Sequence, residues 1–395
     1  MIRVGFVINY NYKSWYGGTN VIKNLIYCIK KYSNNKIEPV LFIRKSVKKN
    51  DLDEFKSIKI IKTNIFDHNL FFRIWYKIII ILKGRYLPFD LFFEKNNIRV
   101  ISHINAFAYN FFTGKKSYIK CISWITDFQH VHFPRYFTIK NIILRNFNIF
   151  LCQKHSSKIL LSSYDAQNDL KKISKTAFEK SVVSQFYYKF DKKKDIINLS
   201  ELKKKYDIKK NFFLISNQYW MHKNYEVILK SLFYLKKKNK INNILILSTG
   251  HNNDLTNKKY FNEIMMLVNN YGLNDNFRYL GLLSYKEVCS LIFYSIALIN
   301  PSKFEGRNVS VEQARSMGKK IILSNIKVHL EQNPKRAIFF NPYDHKNLSK
   351  IILNVLNKYK IKSEIKYSRS EVLKNENNLF KYYKHYEQII NSILD

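Results

Sequence analysis

The chain has 395 residues, 46% of them apolar, which is enough to bury the cores of two ordinary domains and excludes a disordered polymer. Lys and Arg outnumber Asp and Glu by 68 to 29, a formal charge of +39, and most of the excess is lysine. It is spread along the chain beside abundant Asn and Ile, so it reads either as compositional bias or as attraction to an anionic membrane or nucleic acid.

The opening run, MIRVGFVINY, goes straight into a strand pattern and lacks the charged, apolar and small-residue order of a signal peptide. A helix is predicted over GGTNVIKNLIYCIKKY, capped by Thr19 or Asn20, with Val21, Ile22, Leu25, Ile26 and Ile29 on its buried face. IEPVLFI reads as the next strand. The most apolar segment, Leu70 to Leu82, carries Arg73 and Lys77 and is shorter than the ~20 residues a spanning helix needs. It is expected either as a buried helix or as an amphipathic one on a membrane surface. The basic and aromatic stretch from Gly84 to Phe93 favours the second reading.

IRVISHIN, IKCISWIT and SKILLSS are later strands, each followed by polar or helical sequence. This alternation predicts a mostly parallel sheet covered on both faces. A lysine-rich stretch, Lys189 to Asn211, interrupts it and is read as a linker with the first helix after it. The pattern then resumes with strands FFLISNQ, NILILSTG, FRYLG, IALIN and KKIILSN, separated by helices, as a second doubly wound α/β domain. The tail helix has Leu379, Tyr382, Tyr386, Ile389 and Ile393 at helical spacing and could cap the second domain or cross back to the first. The expected division is 1–188, a linker at 189–210, 211–372, and a crossing helix at 373–395.

Cys28, Cys121, Cys152 and Cys289 are scattered and form no C-x-x-C pair, so neither a zinc site nor a disulfide framework is indicated, and free thiols fit a reducing compartment.

The chemistry concentrates between Asn300 and Asn325. Asn308 can cap a helix that Gly318 ends, and Glu305 falls in the loop after a strand while Glu312 lies near the end of the helix's first turn. Loops at the carboxyl ends of strands hold the ligands of open α/β sheets. The free amides of the helix start suit a phosphate, and Arg307 adds a full charge. A phosphate seat flanked by two carboxylates suggests a nucleotide sugar, with hexose at one carboxylate and ribose at the other. The simpler account is a glutamate favoured by the helix dipole plus a solvent glutamate. A glycosidase also pairs carboxylates, but needs no phosphate seat.

At these residues the chain resembles the family 4 retaining glycosyltransferases of the GT-B fold, which carry an E-G-x…E motif followed by a G-x-P-[IV]-[IV]-x-S strand. Glu305, Gly306, Glu312 and Gly318 match it. Six residues separate the glutamates, as in a subgroup with the pattern E-G-W-S-T-V-V-E, and Arg307 stands at the tryptophan. Three further blocks resemble that subgroup: ISNQYWMHKN (Ile215 to Asn224), WITDFQHVHFPRYF (Trp124 to Phe137) and VHLEQNP (Val328 to Pro334).

The resemblance implies two Rossmann-like domains facing across a cleft. It implies that Glu305 binds the transferred sugar, Glu312 the ribose and Lys223 the diphosphate. The donor set would include Gly18, Asn217, Gly250, Gly306, Arg307, Asn308 and Val309. Asn217 stands where the family often has an arginine, so one positive charge is missing. Asp127 and His130, with His132, are candidates for the wall facing the sugar. No catalytic metal or cofactor is implied, because the nucleotide sugar is a substrate. The implied partners are that donor and a glycan or lipid-linked acceptor; the net charge and the Leu70 to Phe93 segment add an expected peripheral contact with anionic lipid at the inner face of the cytoplasmic membrane. A catalytically inactive sugar-nucleotide binder is the alternative. A basic nucleic-acid-binding protein ranks below both, since no recognised module is present.

Overall fold

The computed structural model describes residues 1–8, 16–47, 55–66, 70–107, 111–253, 257 and 259–395. It divides into two compact units, Met1–Phe186 with Asn377–Asp395, and Tyr187–Glu376.

In the first unit the elements run β1 (Ile2–Ile8), α1 (Tyr16–Tyr32), β2 (Ile37–Arg44), β3 (Lys59–Thr63), α2 (Leu70–Lys83), α3 (Leu87–Lys95), β4 (Val100–Asn105), β5 (Lys120–Ile125), α4 (Gln129–His132), α5 (Ile139–His155), β6 (Lys158–Leu161), α6 (Tyr164–Ile173), α7 (Lys175–Glu179) and β7 (Ser181–Val183). The seven strands lie in the order β3-β2-β1-β4-β5-β6-β7, all parallel. Central strands such as IRVGFVI and VISHIN are buried almost throughout because helices cover both faces.

The second unit runs α8 (Lys192–Asp195), α9 (Leu199–Lys205), β8 (Phe213–Ser216), α10 (Tyr225–Lys237), β9 (Ile246–Thr249), α11 (Tyr260–Asn270), β10 (Phe277–Tyr279), α12 (Tyr285–Tyr294), β11 (Leu298–Asn300), α13 (Val309–Ser316), β12 (Ile321–Ser324), α14 (Lys327–Gln332), β13 (Ala337–Phe340), α15 (His345–Asn357) and α16 (Ile361–Asn391). Its sheet order is β10-β9-β8-β11-β12-β13, again parallel. Numbered within the unit, this is the 3-2-1-4-5-6 order of dinucleotide-binding sheets. The order of strand addition reverses between β8 and β11, and in open α/β sheets ligands bind at the carboxyl ends of the strands at such a point.

Several expectations are refined. α1 begins no later than Tyr16, so Thr19 and Asn20 lie inside the helix, both buried, and neither caps it. Its apolar face is as predicted. The opening strand is described over Ile2–Ile8, and Asn9 and Tyr10, read as its continuation, lie outside the described residues. Three strands were not predicted, β3, β7 and β13, and all three lie at sheet edges. The stretch 189–210 supplies α8 and α9 to the second unit, where Lys205 and Tyr206 both donate to Glu287 of α12. The long α16 starts in the second unit and ends in the first. There Tyr386 is buried beside the rings of Phe6 and His103, and His385 Nε2 meets the Val183 carbonyl at 2.9 Å.

Candidate active site

The second unit's candidate site is built where the order of strand addition in its sheet reverses. Asn217 follows β8 and Asn300 ends β11. Asn300 Nδ2 donates to Asn217 Oδ1 across the gap at 3.4 Å. Gly250 follows β9 with φ +142°, and a Cβ there would overlap the Asn217 carbonyl. Only glycine fits that close approach of backbones.

After β8 the chain turns through Met221–Lys223 and enters α10 at Asn224, which has φ 60°. This turn is stitched to the loop after β11 at three points. The Lys303 amide donates to the His222 carbonyl at 2.8 Å, Asn224 Nδ2 donates to the Pro301 carbonyl at 3.0 Å, and Lys223 Nζ reaches Glu305 Oε1 at 2.6 Å. The HKN triplet and the glutamate loop are therefore one structure, although some eighty residues of sequence separate them.

Glu305 Oε1 takes three donors: Lys223 Nζ, Ser302 Oγ at 2.7 Å and Asn308 Nδ2 at 2.7 Å. Among the described residues Glu305 Oε2 takes none. Burial alone would push this carboxyl up. The Lys223 charge first, with smaller contributions from His222 and His329 and the Lys223 hydrogen bond, outweighs it and holds the group at about 2, so it stays ionised. His329 is itself fully buried. Burial drives it down to about 4 against the opposing pull of Glu305, which leaves it neutral at pH 7.

Asn308 caps α13, its Oδ1 accepting from the Val311 amide at 3.1 Å, and Gly318, at φ 65°, follows the helix as predicted. Val309 is the first helical residue. Glu312 Oε1 takes Arg307 Nη2 at 2.6 Å and Gln332 Nε2 at 2.9 Å. The side chains of Arg307 and Glu312 are each only 1% exposed, so the Arg307 charge is directed at Glu312. Glu312 Oε2 has Arg315 Nη1 at 3.7 Å. Both carboxylates thus share one feature: a first oxygen crowded with protein donors and a second that accepts no hydrogen bond among the described residues.

Ser302, Gln332 and Arg315 were not singled out from the sequence. The resemblance marked the VHLEQNP block, which contains Gln332, but nothing in the spacing of residues connects it to Glu312.

The remaining candidates belong to the first unit. Gly18 is buried in the first turn of α1. Asp127 accepts from Arg145 Nη1 at 3.1 Å and from the Gln129 amide, and the Arg145 guanidinium lies over the rings of Phe107 and Phe137. His130 is buried with Nε2 at 3.2 Å from Asn146 Oδ1. Burial, then the Arg145 charge, lowers its basicity. His132 pairs instead with Asp169 at 2.7 Å, and that hydrogen bond raises its pKa. Among the described residues no group of three His, Cys, Asp or Glu side chains is placed to hold a metal ion.

Residues 197–371, somewhat under half of the chain, match the family described as Glycosyl transferases group 1. No curated protein sequence matches the chain. Among solved structures it is similar to a glycosyltransferase from Rickettsia africae, with 16% identity and a TM-score of 0.68 over 100% of this chain and 99% of that one. It is similar to Anabaena HepE, solved in complex with UDP-glucose, with 12% identity and a TM-score of 0.72 over 99% and 100%. It is also similar to WaaG, a glycosyltransferase involved in lipopolysaccharide biosynthesis, with 11% identity and a TM-score of 0.65 over 98% and 99%. These likenesses show that the chain has the two-domain, Rossmann-like GT-B fold, and its second unit is where the glycosyl transferases group 1 match falls.

Proposed function

We propose that the chain is a retaining glycosyltransferase that moves a hexose or deoxyhexose from a nucleotide sugar to a glycan or lipid-linked acceptor in cell-surface polysaccharide synthesis. The observation that carries this reading is the pair of carboxylates around the α13 start, each with one oxygen locked and the other left to accept. An ionised carboxylate held in a fixed orientation accepts hydroxyl hydrogens well. The capped helix start between them offers amides and a positive dipole end to a diphosphate. The UDP-glucose complex of HepE makes UDP-sugars the first donors to test.

In this scheme the bond between the anomeric carbon and the diphosphate oxygen breaks, giving an oxocarbenium-like sugar. The acceptor hydroxyl oxygen bonds to that carbon on the face the diphosphate leaves. Its proton passes to the leaving phosphate oxygen. Lys223 and the α13 amides stabilise the charge developing on the phosphate. Glu305 positions the sugar through Oε2 and forms no covalent bond. Asp127 and His130 are assigned to the sugar from the first unit. His130, kept neutral, can accept or donate one hydrogen bond without adding a charge.

The proposed acceptor side is an anionic bilayer surface. Phe71, Ile74, Ile78 and Leu82 project from α2 into solvent, and Ile139, Ile143, Phe147 and Phe150 from α5. The two helices are neighbours, with Lys77 Nζ at 3.5 Å from Asn148 Oδ1. The Arg73 side chain lies outside the described residues. Apolar rows of this length on a chain of +39 charge fit a face that lies on acidic lipid. Among the described residues no helix is long and apolar enough to cross a membrane.

Thermal melting with UDP-, GDP- and dTDP-sugars tests the donor, since a ligand of the folded state raises the transition. No shift with any of them, together with no transfer from a labelled donor, would end this reading. A shift without transfer would instead support an inactive binder, the alternative favoured by the engagement of Glu312 with Arg307.

A further inference from the structure

We propose that Gln332, on α14, is a positioning residue that aims Glu312 at the donor. The inference rests on the glycosyltransferase reading and adds to it a residue outside the E-G-x…E motif. Gln332 is 2% exposed. Its Oε1 accepts from the Asn308 amide at 3.3 Å, and its Nε2 donates to the Asn308 carbonyl at 3.1 Å and to Glu312 Oε1 at 2.9 Å. The partners fix the orientation of the side-chain amide. A backbone N–H can only donate and a carboxylate can only accept, so oxygen and nitrogen cannot be exchanged. One side chain therefore grips both polar groups of the helix cap and one oxygen of the carboxylate.

The consequence for Glu312 is geometric. Gln332 Nε2 and Arg307 Nη2 both occupy Oε1. Two donors on one oxygen fix the plane of the carboxylate and leave Oε2 as its accepting atom. Arg315 braces the arrangement from outside, its Nη1 donating to the Gln332 carbonyl at 3.3 Å while standing 3.7 Å from Glu312 Oε2. Asn333, at φ 34°, ends α14 directly after Gln332 and turns the chain away. Without the Gln332 amide, the carboxylate keeps only the guanidinium on Oε1 and can rotate about it. Ribose hydroxyls would then meet a mobile acceptor, whereas the diphosphate would still meet Lys223 and the α13 amides.

That split gives the test. Titration calorimetry compares whichever of UDP, GDP and dTDP binds the wild type with its analogue lacking the ribose hydroxyls, on the wild type and on Gln332→Met. Methionine keeps the volume and removes all three bonds; Gln332→Ala replaces it if the melting temperature shows that Met is not accommodated. The wild type should prefer the hydroxyl-bearing ligand by about tenfold, the weight of a hydrogen bond to a charged acceptor. In the variant that preference should fall towards one, with the affinity of the analogue unchanged within about twofold. In a Glu312→Gln background, Gln332→Met should change nothing further. Equal weakening of both ligands would show a merely structural role and overturn the proposal, as would an unchanged preference. A wild type that binds none of the three diphosphates removes the glycosyltransferase reading and this inference with it.

Discussion

Replacing Lys223 by methionine leaves Glu305 buried without its cation, and the size of the effect can be worked out. Glu305 would keep Ser302 and Asn308 on Oε1 but lose the charge 2.6 Å away. Removing one partner of a buried pair costs about 3–5 kcal/mol. The stranded carboxyl limits that penalty by taking up a proton. From its ordinary value of 4.5, at about 1.4 kcal/mol per unit, protonation costs about 3 kcal/mol at pH 7 and under about 1 kcal/mol at pH 5. The signs follow from linkage. In the wild type the folded-state pKa is depressed, so the pair stabilises the fold above pH 4.5 and that contribution disappears as the pH falls through about 2. In Lys223→Met the largest opposition to burial is gone, the folded-state pKa is expected to rise above 4.5, and a penalty grows with pH. The expected loss is therefore greater at pH 7 than at pH 5 by about 2–3 kcal/mol, on top of the wild-type pair's own contribution, which is lost at both. Adding Glu305→Gln should restore most of it. Urea unfolding at both pH values, followed by fluorescence, reads this out, because Trp220 is the one tryptophan of the second unit. A loss below about 0.5 kcal/mol at pH 7, or one that does not change with pH, would refute the reasoning.

Glu305→Ala should lower transfer by about 10²–10³-fold with the fold retained, and an unchanged turnover would remove Glu305 from the site. Gly250→Ala should cost about 2–3 kcal/mol of stability, because φ +142° and the Asn217 carbonyl both exclude a Cβ; an unchanged melting temperature contradicts that. Lys319 is pushed down to about 8, first by burial, and its Nζ donates to the Phe293 and Ser295 carbonyls. Its folded-state value lies below the unfolded one, so its contribution to stability should rise with pH between about 8 and 10.5. Lys319→Met should abolish that part of the slope, and identical slopes would refute it. Ile143→Glu with Phe147→Glu should weaken sedimentation with phosphatidylglycerol vesicles at least tenfold, and equal binding would exclude the α5 face.

The parts of the fold legible from sequence were those where burial is complete. β1, β4 and β8 are largely buried, and each carries enough apolar residues between polar or loop sequence to read as a strand, even with Ser102, His103 and Asn105 inside β4. β3 and β13 lie at sheet edges, where partial cover admits Lys59 and Lys62 or leaves Ala337 to Phe339 half-buried, and β7 is three residues long. Their patterns do not separate from loop. The start of α1 was misplaced because an apolar stripe shows which face is buried and not where the helix begins. In the candidate site, the placement of Glu305, Asn308 and Glu312 around a helix start was legible because cap, helix start and carboxylates are local in sequence. Ser302 and Gln332 were not, because their roles come from side chains meeting across the fold. The direction of the Arg307 charge is a further case: composition places it beside a phosphate seat, while packing turns it onto Glu312.

The most direct measurement is a crystal structure of the chain with UDP-glucose, or with another nucleotide sugar that raises its melting temperature. The account predicts a diphosphate within about 3 Å of the first amides of α13, a sugar hydroxyl on Glu305 Oε2 and a ribose hydroxyl on Glu312 Oε2. A nucleotide bound elsewhere, with both of those oxygens facing water or protein, would contradict it.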